Sequence, residues 1–213
     1  MVDENKFVIW GASGHAKVLI DLLMARGDKV VALIDNRNLP SIVPGVPLCV
    51  GLEGFKKWHA VQNDKSVFSG IVAIGHCSPE RMAIQRQLTA DGLKFPPIIH
   101  QHASLCANVM LGEGVQILAQ AVVSAESIIG SGCIINHRAC VDHECTLGEG
   151  VHVAPGATIC GRVTVGANVF VGAGAVILPR LTVGANSTIG AGAVVTRDVP
   201  AGVTVVGNPA SIV

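Results

Sequence analysis

Residues 141–165, VDHECTLGEGVHVAPGATICGRVTV, repeat with a period of six. The aliphatic residues that mark the period in this stretch are Val141, Leu147, Val153, Ile159 and Val165. The same spacing runs from residue 99 to residue 195, giving seventeen hexads with no exception and no insertion. A period of six is typical neither of an amphipathic helix nor of a long alternating strand, so a different regular structure is required.

A short strand, a tight corner and another short strand satisfy this period. Three hexads then close one triangular coil, and successive coils stack through parallel-sheet hydrogen bonds. The aliphatic residue points inward, and a small residue four positions later, such as Ala139 or Ala157, fills the corner. A glycine directly after the aliphatic residue, such as Gly148, is expected to tolerate the backbone angles of the bend. The pattern therefore predicts a parallel β-helix of a little under six coils.

The first part of the chain has a different pattern. Residues 6–27 predict an apolar strand, a glycine-rich turn and an amphipathic helix, and residues 29–36 and 68–75 predict two further strands. A last helix is predicted over residues 79–92, and Pro96 and Pro97 then end the helical pattern. We therefore expect a small Rossmann-like α/β domain over residues 1–97 and an all-β domain over residues 98–213.

The composition excludes several classes of partner. Fifteen acidic and fifteen basic residues give a net charge of zero, so no basic field indicates nucleic acid or an anionic membrane. No apolar run reaches the length of a membrane span, which argues against membrane insertion. The first residues lack the pattern of a secretory signal peptide, and the seven cysteines include no CxxC pair. We expect a cytoplasmic protein with reduced cysteines.

The first strand-to-helix turn contains Gly11, Ser13, Gly14 and His15. Backbone N–H groups at a helix N-terminus suit a phosphate, and Asp35 at the end of the second strand could accept hydrogen bonds from a ribose or a base. The spacing is not the GxGxxG of redox dinucleotide sites. The alternative is a glycine turn that only packs the helix on the sheet.

His143 stands at a predicted corner, and three hexads later, one full coil along, the chain has Gly161. A glycine stacked on the imidazole leaves room for a thioester, and its N–H could act as an oxyanion donor. Asp142 and Glu144 flank His143, and a carboxylate on one ring nitrogen would make the other nitrogen a better base. His152 lies half a coil away, so the two histidines can meet only across neighbouring prisms. This geometry predicts an oligomer, most simply a homotrimer with its sites between subunits.

Metal binding is an alternative role for the histidines. The γ-class carbonic anhydrases have a similar prism and bind zinc through three histidines, but their pair four residues apart is absent from the set His137, His143 and His152. We therefore expect no metal. For His137, and for His100 and His102, a solvated corner position is the expected role.

The motifs GASGHAKV, NHRACVDHEC, VHVAPGATICGRVTVG and VGNPA together resemble the sugar-acetyltransferase branch of the hexapeptide-repeat family. That branch contains bacillosamine- and perosamine-type N-acetyltransferases, which act on nucleotide-linked 4-amino-deoxysugars such as GDP-perosamine, and O-acetyltransferases of sialic acid. The resemblance implies a left-handed β-helix, acetyl-CoA as cosubstrate and a role in polysaccharide or O-antigen biosynthesis.

The resemblance also implies roles for individual residues. His143 would be the general base with Glu144, or Asp142, as its carboxylate. The residues implied for acetyl-CoA are His152, Gly161, Gly207, Asn208 and Pro209. The residues implied for the nucleotide sugar are Gly11, Ser13, Gly14, His15, Asp35, Asn36 and Asn136. His76 and Cys77 follow the third strand where members of the branch often have an amide or acid, which leaves GDP, UDP and dTDP open.

The sequence therefore predicts an acetyl-CoA-dependent N-acetyltransferase that acts on the C4 amine of a nucleotide-activated 4-amino-4,6-dideoxyhexose. The enzymatic alternative is O-acetylation of sialic acid or a related sugar. The non-enzymatic alternative is a β-helix that serves as an interaction scaffold. Because Cys145 is expected to point into the prism, a cysteine nucleophile is not expected.

Overall fold

The computed structural model describes residues 5–62, 68–76 and 79–213. Two compact units divide them. The first contains the described residues up to Gly75 together with Ala83–Pro96, and the second contains the described part of His76–Met82 together with Pro97–Val213. Cys77, which the sequence analysis singled out, lies outside the described residues.

The first unit is built on a four-stranded parallel sheet in the order β3-β2-β1-β4. Its elements, with helix α3 beginning in the segment that belongs to the second unit, are β1 (Lys6–Trp10), α1 (Gly14–Ala25), β2 (Lys29–Asp35), β3 (Leu48–Val50), α2 (Gly51–Ala60), β4 (Phe68–Val72) and α3 (Pro79–Ala90). This is the Rossmann-like order that the sequence predicted, except that β3 and α2 were not foreseen.

The central strand of this sheet is apolar along almost its whole length. Residues 7–10 of β1 are all buried, as expected for a parallel strand covered on both faces. In α1, Leu19, Leu22 and Leu23 supply the buried face. None of the described helices is both long enough and apolar enough to cross a bilayer.

The second unit contains the hexad repeat, and each of the seventeen hexads supplies one two-residue strand. The strands are β5 (Ile98–Ile99), β6 (Ser104–Leu105), β7 (Met110–Leu111), β8 (Gln116–Ile117), β9 (Val122–Val123), β10 (Ile128–Ile129), β11 (Ile134–Ile135), β12 (Cys140–Val141), β13 (Thr146–Leu147), β14 (His152–Val153), β15 (Thr158–Ile159), β16 (Thr164–Val165), β17 (Phe170–Val171), β18 (Val176–Ile177), β19 (Thr182–Val183), β20 (Thr188–Ile189) and β21 (Val194–Val195). Two further strands, β22 (Thr204–Val206) and β23 (Ser211–Ile212), follow them.

The seventeen hexad strands form three parallel sheets, in which neighbouring strands are three hexads apart in the chain. The aliphatic residue of each hexad points inward, and from Ile117 to Val195 every one is at most 1% exposed. Ile99, Leu105 and Leu111 are less buried because they belong to the first coil, which has no coil beneath it. The predicted prism, and the inward direction of its repeated residue, are confirmed.

The glycines directly after the aliphatic residues have a different role from the one expected. They do not adopt positive φ values. A Cβ on Gly148 would lie 2.6 Å from the backbone nitrogen of Ala167, and one on Gly166 would lie 2.5 Å from that of Ala185. These glycines are therefore required by the close approach of the next coil, and the expectation that they relieve the bend was wrong.

The left-handed backbone conformation occurs two residues later in the hexad. Glycines hold this position in part of the prism, for example Gly156 and Gly174. The other residues that adopt it, with φ between 55° and 64°, are Gln120, Glu126, Arg138, Glu144, Arg162, Asn168, Arg180 and Asn186. A residue with a side chain is strained in this conformation. We therefore expect the charged residues at this position to make a compensating interaction or to have a function.

One arginine in the second unit is fully buried. Arg81 is 0% exposed and donates through Nε to the carbonyl of Gly132 at 3.0 Å and through Nη2 to the carbonyl of Gly150. These carbonyls belong to equivalent positions of two successive coils. These hydrogen bonds lie within the second unit and compensate for burial of the guanidinium.

Candidate active site

A groove of about 510 Å³ runs along one edge of the prism. It is lined by Asp142, His143, Cys160, Gly161, Arg162, Pro179 and Arg180. Positions 143, 161 and 179 are equivalent corner positions of three successive coils, so the groove follows the prism axis. The sequence predicted that Asp142, His143 and Gly161 would be close together, and the structure brings them together here.

The imidazole of His143 is oriented by one carboxylate. Nδ1 lies 2.8 Å from Oε2 of Glu144. A carboxylate can only accept in this hydrogen bond, so Nδ1 of the neutral ring carries the proton and Nε2 keeps a free lone pair. Half of the His143 side chain is exposed, at 49%, so Nε2 is accessible from the groove. An imidazole held in this way can accept a proton at Nε2.

Asp142 supports the same turn in another way. Its Oδ1 accepts a hydrogen bond from the backbone N–H of His143 at 2.8 Å, whereas its Oδ2 is 4.0 Å from His143 Nε2. Asp142 therefore fixes the backbone beneath the imidazole, and it does not make the Nδ1 contact that Glu144 makes.

Gly161 stacks directly on the imidazole. A Cβ built on Gly161 would lie 2.5 Å from His143 Nε2 and 2.7 Å from Cε1, so only glycine fits over the ring. The N–H of Gly161 donates to no group among the described residues. The equivalent N–H of His143 is satisfied by Asp142, and the next equivalent residue, Pro179, has none. Gly161 therefore offers an unused donor in the groove that His143 also lines.

Arg162 is a site residue that the sequence analysis missed. Its Nε donates to Oε2 of Glu144 at 2.9 Å, the same oxygen that accepts from His143. Hydrogen bonds from Arg162 and, secondly, from His143 lower the pKa of Glu144, and the bond with Glu144 raises the pKa of Arg162. The signal was available, because Arg162 follows Glu144 by one full coil, the same interval that relates Gly161 to His143.

The cysteines near the groove are not activated. Cys145 is fully buried and its thiol donates to the carbonyl of Cys160 at 3.2 Å. Burial raises the pKa of Cys140, Cys145 and Cys160, which disfavours their thiolates. These thiols have the properties of packing residues, as the sequence indicated for Cys145.

His152 and Asn136 form a separate pair on another sheet of the prism. Asn136 accepts the backbone N–H of His137 through Oδ1 at 2.8 Å, and its Nδ2 lies 3.1 Å from His152 Nε2. His152 is 6% exposed and packs edge-to-face against Phe170 at a ring distance of 5.3 Å. Within one chain, neither residue lines the groove of His143, and their implied contacts with acetyl-CoA and the acceptor remain predictions.

The VGNPA motif forms the end of the last coil. Gly207 has φ +97°, the Asn208–Pro209 bond is cis, and the carbonyl of Gly207 accepts from the N–H of Val194 at 2.9 Å. Ala210 then donates to the carbonyl of Val194, and β23 returns antiparallel to β22. The contacts fix this turn, and its place near the coenzyme remains a prediction.

In the first unit, the glycine turn lies where the sequence predicted it, between β1 and α1. Gly11 has φ +108°, and a Cβ there would meet the carbonyl oxygen of Ala73 at 2.9 Å. Ser13 is the N-cap residue of α1 and makes no side-chain capping bond, and a Cβ on Gly14 would meet no atom within 4 Å. His15 follows in the first turn of the helix. The turn thus presents an open helix N-terminus, which suits an anion.

Asp35 is more fully engaged than the sequence suggested. Its Oδ2 accepts from the N–H of Ala12 at 3.1 Å and from Nη2 of Arg37 at 3.1 Å, and its Oδ1 accepts from N and Nε of Arg37 at 3.0 and 2.9 Å. The bonds with Arg37 lower the pKa of Asp35 to about 2. A ribose or a base would compete with Arg37 for this carboxylate. The adjacent Asn36 is exposed.

Among residues 5–62, 68–76 and 79–213, no group of three or more His, Cys, Asp or Glu side chains is arranged to hold a metal ion. His143 instead uses its Nδ1 for Glu144.

Two families match parts of the chain. The profile of the bacterial transferase hexapeptide family (six repeats) matches residues 162–197, and that of the PglD N-terminal domain matches residues 6–88. No curated protein matches the chain.

Several solved structures match the chain over its whole length. PerB from Caulobacter crescentus, solved with CoA and GDP-perosamine, is 36% identical, with a TM-score of 0.87 over 100% of this chain and 98% of PerB. The acetyltransferase domain of PglB from Neisseria gonorrhoeae, solved with acetyl coenzyme A, is 36% identical, with a TM-score of 0.88 over 99% and 100% of the two chains. WeeI from Acinetobacter baumannii is 28% identical, with a TM-score of 0.87 over 97% and 99%. The fold is that of PerB and PglB, a Rossmann-like domain followed by a left-handed parallel β-helix.

Proposed function

The chain belongs to the hexapeptide-repeat, CoA-dependent sugar N-acetyltransferases, and from this membership we propose its substrate and its catalytic groups. The proposed reaction transfers acetyl from acetyl-CoA to the C4 amine of a nucleotide-linked 4-amino-4,6-dideoxyhexose, with His143 as the general base. Family membership removes the non-enzymatic scaffold from consideration.

One observation carries the proposal. His143 Nδ1 is held by Glu144 at 2.8 Å, and the free Nε2 lies beneath Gly161, whose N–H has no partner among the described residues. A ring nitrogen with a free lone pair and an unpaired backbone N–H thus line one groove, and the proposed acyl transfer would use them as base and oxyanion donor.

The proposed step conserves atoms and charge. The neutral amine nitrogen forms a bond to the acetyl carbon, and His143 Nε2 accepts the proton that the nitrogen loses. The N–H of Gly161 donates to the oxygen that gains negative charge, an effect of about 3 kcal/mol for one such donor. The C–S bond then breaks, and His143 returns the proton to the sulfur, which leaves as the thiol of CoA. Glu144 stabilises the imidazolium between these transfers.

The remaining residues are assigned by resemblance. His152 is proposed to contact the thioester of a coenzyme bound between prisms, and Gly207, Asn208 and Pro209 to lie beside that coenzyme. Because His143 and His152 lie on different parts of one prism, such a site needs a second prism, and we propose a homotrimer as the simplest closed assembly. Asn136 is proposed to face the acceptor.

The acceptor is proposed to bind through its nucleotide in the first unit. The open N-terminus of α1 at Ser13 and Gly14 suits the diphosphate, with Gly11 and His15 beside it. Asp35 and Asn36 are proposed to contact the ribose or the base. Since PerB was solved with GDP-perosamine, that compound is the first candidate, with UDP- and dTDP-linked amino sugars as alternatives.

A thiol-release assay tests the proposal. Wild-type protein and acetyl-CoA are incubated separately with GDP-, UDP- and dTDP-linked 4-amino-6-deoxyhexoses and with free sialic acid. Release of CoA with one nucleotide amino sugar, and mass-spectrometric detection of its N-acetyl product, is the expected result. It also identifies the nucleotide.

The same panel tests O-acetylation of sialic acid. CoA release with sialic acid alone would contradict the proposal and assign the chain to O-acetyl transfer. The solved N-acetyltransferases that match the full chain favour the amine as acceptor. If the protein binds CoA but releases none with any compound of the panel, the acceptor lies outside the 4-amino sugars. This result would contradict the proposed substrate.

A further inference from the structure

The groove carries a ladder of charges along its edge. Glu126, Glu144, Arg162 and Arg180 follow one another at intervals of three hexads and so occupy the same position in four successive coils. All four adopt the left-handed conformation, with φ between 57° and 64°, and all four are exposed. Two acidic coils are thus followed by two basic coils, and the change of sign occurs beside His143.

The other two edges of the prism do not show this pattern. At the same hexad position one edge has Gln120, Arg138, Gly156, Gly174 and Gly192, and the other has Gly114, Gly132, Gly150, Asn168 and Asn186. Glycine and asparagine tolerate the left-handed conformation, whereas arginine there costs conformational energy. Two arginines in succession on the edge that carries the base therefore indicate a function at that edge.

The two arginines of the ladder have different partners. Arg162 is bound to Glu144 at 2.9 Å, and its charge is largely matched by that carboxylate. Arg180 makes no hydrogen bond or ion pair through its guanidinium with any described residue, although its backbone N–H donates to the carbonyl of Gly161. Arg180 lines the same groove as His143. Its guanidinium is therefore exposed in the groove and available to an anion.

We propose that Arg180 binds the diphosphate of acetyl-CoA and sets the direction in which the coenzyme lies in the groove. This inference rests on the proposed function, which places the thioester at His143 and Gly161. Arg180 lies two coils beyond Glu144, about 10 Å along the prism axis. An extended pantetheine arm is longer than the rise from Glu144 to Arg180. The side chain of Arg180 extends the reach of its guanidinium and so makes up part of this difference in length. The diphosphate thus meets the basic coils, and the acidic coils repel it.

Arg180→Asn is the most suitable variant, because asparagine already occupies the same hexad position at Asn168 and Asn186. Arg138→Asn is the matched control, since Arg138 has the same position and conformation on another edge, with φ 58°. Calorimetry measures the Kd of each protein for CoA, for dephospho-CoA, which lacks the 3′-phosphate, and for pantetheine, which lacks all phosphates.

Arg180→Asn should weaken CoA and dephospho-CoA equally, by roughly tenfold as expected for a charge-assisted hydrogen bond, and should leave the Kd for pantetheine unchanged. Arg138→Asn should leave all three Kd values unchanged. An unchanged Kd for CoA in Arg180→Asn would overturn the proposal, as would an equal loss with pantetheine. A loss restricted to CoA would overturn the diphosphate assignment in favour of the 3′-phosphate.

These binding measurements need no acceptor sugar. If wild-type protein binds CoA and Arg180→Asn binds it equally well, the inference fails while the proposed function stands. If wild-type protein binds no CoA, both fail. A loss of CoA affinity in Arg180→Asn, with no turnover of any amino sugar by the wild type, would support the inference and contradict the proposed acceptor.

Discussion

Nε2 of His143 lies directly beneath Gly161, so close that a Cβ on Gly161 would be 2.5 Å from that nitrogen. The imidazole can take this position only because residue 161 has no side chain. Because Gly161 is not among the residues with positive φ, the backbone itself would accept alanine.

Gly161→Ala should reduce kcat strongly, by about a hundredfold, because the new methyl group must displace the imidazole from its position. The fold should be kept, since Ala173 occupies the equivalent corner position on another edge. Steady-state kinetics and thermal unfolding measure the two effects. In the His143→Ala background the same change should have little further effect on kcat, and two fully additive losses would contradict the steric explanation.

His143→Ala should lower kcat by about 10² to 10⁴-fold, the usual contribution of a general base, with little change in the Kd for CoA. His137→Ala is the matched control, because His137 has the same hexad position on another edge and should leave kcat unchanged. Normal turnover by His143→Ala would remove this residue from the mechanism.

Arg162→Asn should raise the pKa of Glu144 towards its ordinary value, because the largest cause of the lowered pKa is the hydrogen bond from Arg162. Carbon-13 NMR of the glutamate carboxyl groups follows this titration. With its carboxylate less firmly held, the variant should lose kcat severalfold at an unchanged KM, and its unfolding temperature should hardly change because exposed ion pairs contribute little to stability. Arg162→Lys should recover part of kcat. An unmoved Glu144 titration would show that the contact does not persist in solution.

Asp35→Asn should lower the unfolding temperature at neutral pH by a few degrees. The pKa of Asp35 is lowered to about 2 in the folded protein, so its ionised form stabilises the fold above the ordinary value of 3.8, and this stabilisation is lost as the pH falls towards 2. The difference between variant and wild type should therefore shrink over this interval in thermal unfolding series. Asp21→Asn, at an exposed position of α1, is the control. A difference that stays constant down to pH 2 would contradict the assignment.

Gly148→Ala should destabilise the prism by about 1 to 3 kcal/mol, because its Cβ would meet the backbone of the next coil at 2.6 Å. Gly174→Asn should have little effect, since a Cβ there meets nothing within 4 Å and Asn168 and Asn186 adopt the same conformation. Chemical denaturation measures both changes. Equal losses would show that conformation, and not contact between coils, decides the use of glycine.

The sequence predicted the prism in detail. A fixed period of six, with an aliphatic residue in every hexad, has one regular solution in which every such residue is buried, so strand spacing and the stacking of Gly161 on His143 followed from counting. The parallel order of β1, β2 and β4 followed in the same way from apolar runs separated by a helix. β3 and α2 were missed because β3 is three residues long and α2 has only two buried residues.

Only the tertiary structure decided which groups bond to each other. It assigned Glu144 and not Asp142 to His143 Nδ1, it placed Arg162 on the same carboxylate, and it showed the acceptor positions of Asp35 in use by Arg37 and Ala12. Which residues are buried follows from their type and from the regular spacing at which they occur, and both can be read from the sequence. A hydrogen bond requires the donor and acceptor atoms to be placed to within a few tenths of an ångström. The backbone angles and side-chain directions that place them are set by the coils above and below. The sequence therefore determined the prism and the residues that stack at equivalent positions of successive coils. The packing of the coils determined which of these residues bond to each other.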